Sequence, residues 1–184
     1  MKLAKTLAVF ATIGLVASFV FAEEAAKTAT KEAAKTAKKI DMKKILAEAK
    51  CPISGKPVKA DKFAMHKESK VYVCCGNCVK GLAGAVKKDP KVAALANHQL
   101  VMTHQATQAK CVMNGSGPMK EAFKVAGLEV KTCCGKCKAG IEKMKPEDQI
   151  ATVFHKNFDK AFVVKAVEAK KKKEEAEKKK KAAA

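Results

Sequence analysis

A cysteine pattern occurs twice in this chain at a spacing of about sixty residues, and a duplication of that period must be settled before any other fold reading. Cys51-Pro52-Ile53-Ser54-Gly55 is matched by Cys111-Val112-Met113-Asn114-Gly115. Val73-Cys74-Cys75-Gly76-Asn77-Cys78 is matched by Thr132-Cys133-Cys134-Gly135-Lys136-Cys137, and Gly81 by Gly140. All eight cysteines fall on matching positions, as Cys51-x22-Cys74-Cys75-x2-Cys78 and Cys111-x21-Cys133-Cys134-x2-Cys137. A unit of about fifty residues buries little apolar surface, and units of that size commonly need metals or disulfides as staples.

Local signals outline each copy. A Gly-containing turn follows the first cysteine. Val71-Tyr72-Val73 is a short β-prone run, with Leu128-Glu129-Val130 as its weaker counterpart. Cys78, Leu82 and Val86 recur at helical spacing, as do Cys137 and Ile141, so a helix is expected to start at each cysteine cluster. Pro90 and Pro146 suit the first turn of a second helix. Met42, Ile45, Leu46 and Ala49 predict a further short helix leading into Cys51. The expected fold is small α+β: two tandem modules, each a knuckle, a β-hairpin and a helix or two.

The cysteine spacings resemble the TRASH family of heavy-metal trafficking, resistance and sensing domains, whose signature places one cysteine about twenty residues before a C-x3-C pair. Cys51, Cys74 and Cys78 fill those positions in the first copy, and Cys111, Cys133 and Cys137 in the second. The resemblance spans roughly residues 48–97 and 108–156 and covers neither charged end. Cys51-Pro52-Ile53-Ser54-Gly55-Lys56 is also similar to the start of YHS-type and ribosomal treble-clef fingers. It implies treble-clef-like metal-binding modules. Many such fingers carry a further cysteine where Ser54 and Asn114 stand, so the fourth ligand is left open.

A knuckle cysteine and two cysteines at a helix start can converge on one ion, because residues three or four apart share a helix face. Both Cys74 with Cys78 and Cys75 with Cys78 meet that condition. Thiolates at a helix N-terminus are favoured electrostatically. Such a site suits Zn(II) if four ligands gather and Cu(I) if only three do. All eight cysteines are candidate ligands. Cys75 and Cys134 carry a supporting or exchange role as the alternative, since adjacent side chains on an extended strand point to opposite faces.

Two other readings stay open at this point. Eight cysteines in an oxidising compartment can form a disulfide framework, with about a hundred pairings that sequence does not choose among. Cys75-Gly76-Asn77-Cys78 and Cys134-Gly135-Lys136-Cys137 also have the C-x-x-C form of thiol oxidoreductases, but each copy is too short for the βαβ domain that carries that chemistry. His66 lies inside the first copy with no counterpart in the second, and reads as a surface histidine. Met65, Met113 and Met119 read as packing residues rather than thioether ligands. No Ser-His-Asp, paired-carboxylate or phosphate-loop pattern stands out, so binding rather than catalysis is expected.

The flanks set the setting. Lys2 and Lys5 precede an apolar run from Leu7 to Phe21 that ends in Ala22, the plan of a secretory signal peptide. The expected location is periplasmic or secreted. Residues 1–22 are read as signal, 23–44 as an Ala/Lys-rich tether, 45–100 and 105–157 as the two modules, and 158–184 as a C-terminal helix and lysine-rich tail. Phe154, Phe158 and Phe162 form a helical-spaced stripe expected to pack a C-terminal helix on the second module. The formal net charge of +20 comes from lysine alone and predicts attraction to anionic membrane or cell-wall surfaces through the tail. With no Arg, no Trp and a single Tyr, the chain lacks the forks and stacking surfaces of specific nucleic-acid readers.

Overall fold

The computed structural model describes residues 41–182. The signal-like segment and nearly all of the tether lie outside the described residues. Asp41 caps the first of the described helices, α1 (Met42–Glu48), by accepting from the Lys43 and Lys44 N–H groups. The first copy continues with β1 (Phe63–His66), β2 (Ser69–Tyr72), α2 (Gly76–Lys88) and α3 (Pro90–Met102). A short strand, β3 (Ala106–Gln108), leads into the second copy, which holds β4 (Glu121–Val125), β5 (Leu128–Thr132), α4 (Gly135–Glu142) and α5 (Pro146–Ala151). A π-helical turn (Thr152–Lys156), α6 (Phe158–Ala161), β6 (Phe162–Val164) and α7 (Lys165–Ala182) complete the chain. The architecture is small α+β, with three two-stranded antiparallel sheets among the described residues.

Each copy has its hairpin. Phe63 faces Tyr72 and His66 faces Ser69 in the first, while Glu121 faces Thr132 and Val125 faces Leu128 in the second. Both turns have two residues with positive φ, Lys67 and Glu68 at 48° and 58°, Ala126 and Gly127 at 49° and 83°. Left-handed backbone at both central positions matches the twist of a tight hairpin. Asp89 accepts from the Lys91 N–H and Pro90 opens α3, as the sequence predicted; Pro146 opens α5.

The two copies share one apolar interior. Val71, Leu82, Val92 and Leu100 from the first join Val112, Val130, Ile141 and Phe154 from the second, and Phe158 from the segment after it, in a single buried cluster. Helix α3 packs against α2 and β2 of its own copy and against α5 and the π-helical turn of the other. Its Ala93, Ala94 and Ala96 are buried and let neighbouring backbones approach closely. Two units too small to close separate cores gain from pooling their apolar faces.

The phenylalanine stripe is buried as expected but is not one helix. Phe154 lies in the π-helical turn, Phe158 in α6 and Phe162 in β6, which pairs antiparallel with β3. Phe162-Val163-Val164 is a β-prone run, and the β3 backbone gives it a ladder partner. Phe158 and Phe162 stack with centroids 5.1 Å apart, and the His98 ring of α3 meets Phe154 edge-on at 4.8 Å. Truncating Phe158 to Ala would cost about 3–5 kcal/mol by the usual scale for a buried aromatic. Beyond Val167 the last helix is exposed over residues 168–178, tied back by a Lys170–Glu68 ion pair at 3.1 Å.

Candidate metal centre

Each first cysteine sits in a knuckle built the same way twice. The Gly55 N–H donates to the Cys51 carbonyl at 2.8 Å and the Cys51 N–H to the Lys56 carbonyl at 2.7 Å. In the second copy Gly115 donates to Cys111 at 2.8 Å and Cys111 to Ser116 at 2.7 Å. Gly55 and Gly115 have φ of +69° and +73°, which explains why glycine ends each turn. A side chain at Gly115 would also press on Lys160, whose Cβ lies 3.1 Å from the added atom.

The second hairpin strand of each copy ends at Tyr72 or Thr132, and the helix begins two residues after the first of the paired cysteines. Cys75 and Cys134 occupy the cap positions in extended conformation, with φ/ψ of −155°/168° and −160°/165°. Neither side chain caps its helix. A strand-to-helix change at this point brings Cys74 and Cys78 together although Cys75 stands between them in sequence. Their sulfurs are 3.7 Å apart, and Cys133 and Cys137 repeat that separation.

The sulfurs of Cys51, Cys74 and Cys78 all lie within 4.8 Å of one another, as do those of Cys111, Cys133 and Cys137. An ion about 2.3 Å from each thiolate with tetrahedral angles would hold its sulfurs about 3.8 Å apart. The Cys74–Cys78 and Cys133–Cys137 pairs have that spacing, and with the third thiol within 4.8 Å each group can hold one ion. All eight cysteines are free, and these separations exceed the ~2.05 Å of a disulfide. Cys75 and Cys134 stand outside the converged groups and are exposed, because an extended cap residue projects away from the helix interior. They remain adjacent to it: Cys75 Sγ is 3.6 Å from Cys78 Sγ, and Cys134 Sγ is 3.8 Å from Cys133 Sγ.

Ser54 and Asn114 face the thiols. The Ser54 hydroxyl is 3.2 Å from Cys74 Sγ, and the Asn114 amide donates to Cys133 Sγ at 3.7 Å. Burial opposes ionisation of Cys51, but the Ser54 hydroxyl and the backbone N–H groups of Ser54, Cys74 and Ile53 outweigh it and bring the thiol down to about 6. Cys111 is lowered in the same way, burial being overcome by the N–H groups of Asn114, Cys133 and Met113. Burial, together with the neighbouring thiols, pushes Cys78 and Cys137 up to about 12. Without an ion, then, ionisation is favoured at the knuckle cysteine of each copy and opposed at Cys78 and Cys137. A cation would supply the charge that the other sulfurs need in order to ionise.

Two glutamines that sequence reasoning did not single out position these thiols. Gln99 Nε2 donates to the Tyr72 carbonyl at 3.0 Å and its Oε1 accepts from the Tyr72 N–H. Gln108 does the same for Lys131, donating at 2.6 Å and accepting at 2.9 Å. Each glutamine thus acts as one residue of a missing strand, and each clamps the residue two before a ligand cysteine. Glutamine has no periodicity of its own, so only the strand edge identifies the role.

His66 is half-buried and bonds Asn97 at 2.9 Å, while Asn97 in turn donates to the Phe154 carbonyl at 2.8 Å. Burial is the main reason that His66 and His98 are held below the usual histidine pKa. No histidine joins a cluster of candidate metal ligands among the described residues. Met113 packs against the shared core, in keeping with its reading as a packing residue, and Met65 is exposed. Among the described residues no helix is long and apolar enough to cross a membrane. Comparison with family models, with curated proteins and with solved structures returns no match.

Proposed function

We propose that the chain is an exported carrier of soft metal ions that sequesters, buffers or hands over one ion per copy through cysteine thiolates, without catalysing a reaction. The observation that carries the reading is the duplicated convergence of three thiols within 4.8 Å. The donor set is sulfur alone, and three converged thiolates suit Cu(I), whereas Zn(II) would need a fourth ligand. Knuckle, hairpin and helix in each copy support a treble-clef-like reading of the modules and the resemblance to TRASH and YHS-type domains. Export rests on the signal-like residues 1–22. Attraction to anionic membrane or cell-wall surfaces rests on the exposed lysines of α7.

Native mass spectrometry of the reduced chain beginning at Glu23 tests the reading, because bound ions add mass whereas disulfides remove protons. Two Cu(I) ions per chain, retained in preference to Zn(II), are expected. A chain that takes up neither ion and regains its fold only with all cysteines bridged would overturn it in favour of a disulfide-stapled protein.

A further inference from the structure

We propose that Cys75 and Cys134 are exchange thiols that pass the ion between the half-buried triad and an external thiolate acceptor. The inference rests on the metal-binding reading above and deepens it by assigning a route.

Within each triad the knuckle cysteine is inaccessible: Cys51 is 1% exposed and Cys111 0%. An acceptor therefore cannot attack the site from the knuckle side. Cys75 and Cys134 are exposed, yet their sulfurs sit 3.6 Å and 3.8 Å from a triad sulfur. Each thus reaches both solvent and site. The residue that follows is glycine in both copies, and a Cβ added at Gly76 or Gly135 would meet nothing within 4 Å, so the approach is open. The arrangement occurs twice, although the side chain between glycine and the last cysteine differs, Asn77 in one copy and Lys136 in the other.

The transfer is ligand exchange with no change of oxidation state. A bond forms from the exposed thiolate to the ion as one triad sulfur lets go. An acceptor thiolate then bonds the ion, and the bonds to the chain break in turn. Protons lost by acceptor thiols end on the vacated cysteines. The acceptor is identified by its chemistry, a thiolate, which either a small-molecule thiol or a paired-cysteine protein segment can supply.

The experiment loads the full chain with Cu(I) and follows transfer to glutathione in one arm and to a Cys-x-x-Cys peptide in the other. For Cys75→Ser/Cys134→Ser, two bound Cu(I) per chain and an unchanged equilibrium affinity are expected. Transfer should slow at least about tenfold, the size of effect expected when a step loses its lower barrier. Slowing in either arm supports the assignment, and the arm with the larger effect identifies the acceptor. Each single variant should slow only the phase belonging to its own copy. Unchanged transfer in both arms would overturn the proposal, as would an affinity loss as large as the rate loss, which would make these residues ordinary ligands. If the parent chain takes up no Cu(I), the metal reading itself fails, a result distinct from a parent that loads and transfers like its variant.

Discussion

Gln108 grips Lys131 by both of its backbone polar groups, accepting from the N–H at 2.9 Å and donating to the carbonyl at 2.6 Å. Lys131 lies two residues before Cys133, so the clamp fixes where the strand delivers its thiol. Gln99 and Tyr72 form the same relationship ahead of Cys74, from a glutamine that is 2% exposed.

Replacing Gln108 with Ala should lower stability by about 1–3 kcal/mol through the unpaired strand edge. It should also weaken ion binding in the second copy and leave the first unaffected. Urea unfolding of the metal-free protein, combined with ion titration of a chain retaining one intact cysteine set, separates the two effects. An unchanged second site would show that the clamp serves folding alone.

The copies should load independently although they share a core. Cys111→Ser/Cys133→Ser/Cys137→Ser should halve the ion stoichiometry and keep the fold, because Ile141, Phe154 and Phe158 still fill the interior. Loss of all bound ion, measured by native mass spectrometry, would mean a single site shared between copies.

The thiols should titrate unevenly in reduced, metal-free protein. Cys51 is depressed from 9.0 to about 6, so its ionised form favours the fold. That stability is fully present above the ordinary value and is lost as pH falls through about 6. Cys78, raised to about 12, acts in the other direction and subtracts stability only as pH rises above 9.0. Thiolate ultraviolet absorbance should show early ionisation that shrinks by one thiol in Cys51→Ser, since Cys111, Cys75 and Cys134 stay lowered, and in Ser54→Ala the Cys51 share should move to higher pH. Absence of any step below the ordinary thiol range would contradict this.

Alkylation should find Cys75 and Cys134 first. Hydrogen bonds from the Cys78 N–H and the Cys78 and Cys74 thiols lower the Cys75 pKa, and the corresponding groups of Cys137 and Cys133 lower that of Cys134. Exposure and thiolate character together set the rate. Limited iodoacetamide treatment with peptide mapping should therefore place the first two labels at these positions, well ahead of Cys78 and Cys137.

Much of this arrangement was legible in the sequence. The repeat located the knuckles, hairpins and helix starts, and Asp89-Pro90 marked the α3 boundary because cap chemistry is local. What stayed hidden depends on long-range partners. Lys67-Glu68 gives no glycine signal for a left-handed turn, and the hairpin around it imposes the conformation. Phe162 follows helical spacing but joins a sheet, since β3 offers an edge that periodicity does not reveal. The merging of two small cores is likewise a tertiary event. So is the divergence of Cys75 from Cys74, which turns on where a strand becomes a helix.

Removal of residues 171–184 should weaken binding to anionic vesicles and abolish most of its salt dependence, because exposed lysines are screened over ~8 Å at physiological ionic strength. Ion stoichiometry should not change. The Lys170–Glu68 pair is retained, and an exposed pair of this kind contributes at most about 1 kcal/mol. A truncated chain that loses its ions or its core would contradict the separation of tail from site.

The most direct test of three converged thiolates per ion is X-ray absorption spectroscopy of the reduced, Cu(I)-loaded protein. About three sulfur neighbours around each ion are predicted, with no nitrogen shell, since the donor set is thiolate and no histidine joins either triad among the described residues. The same count should persist in Cys75→Ser/Cys134→Ser. A shell dominated by nitrogen or oxygen, or one that loses a sulfur in that variant, would contradict the account.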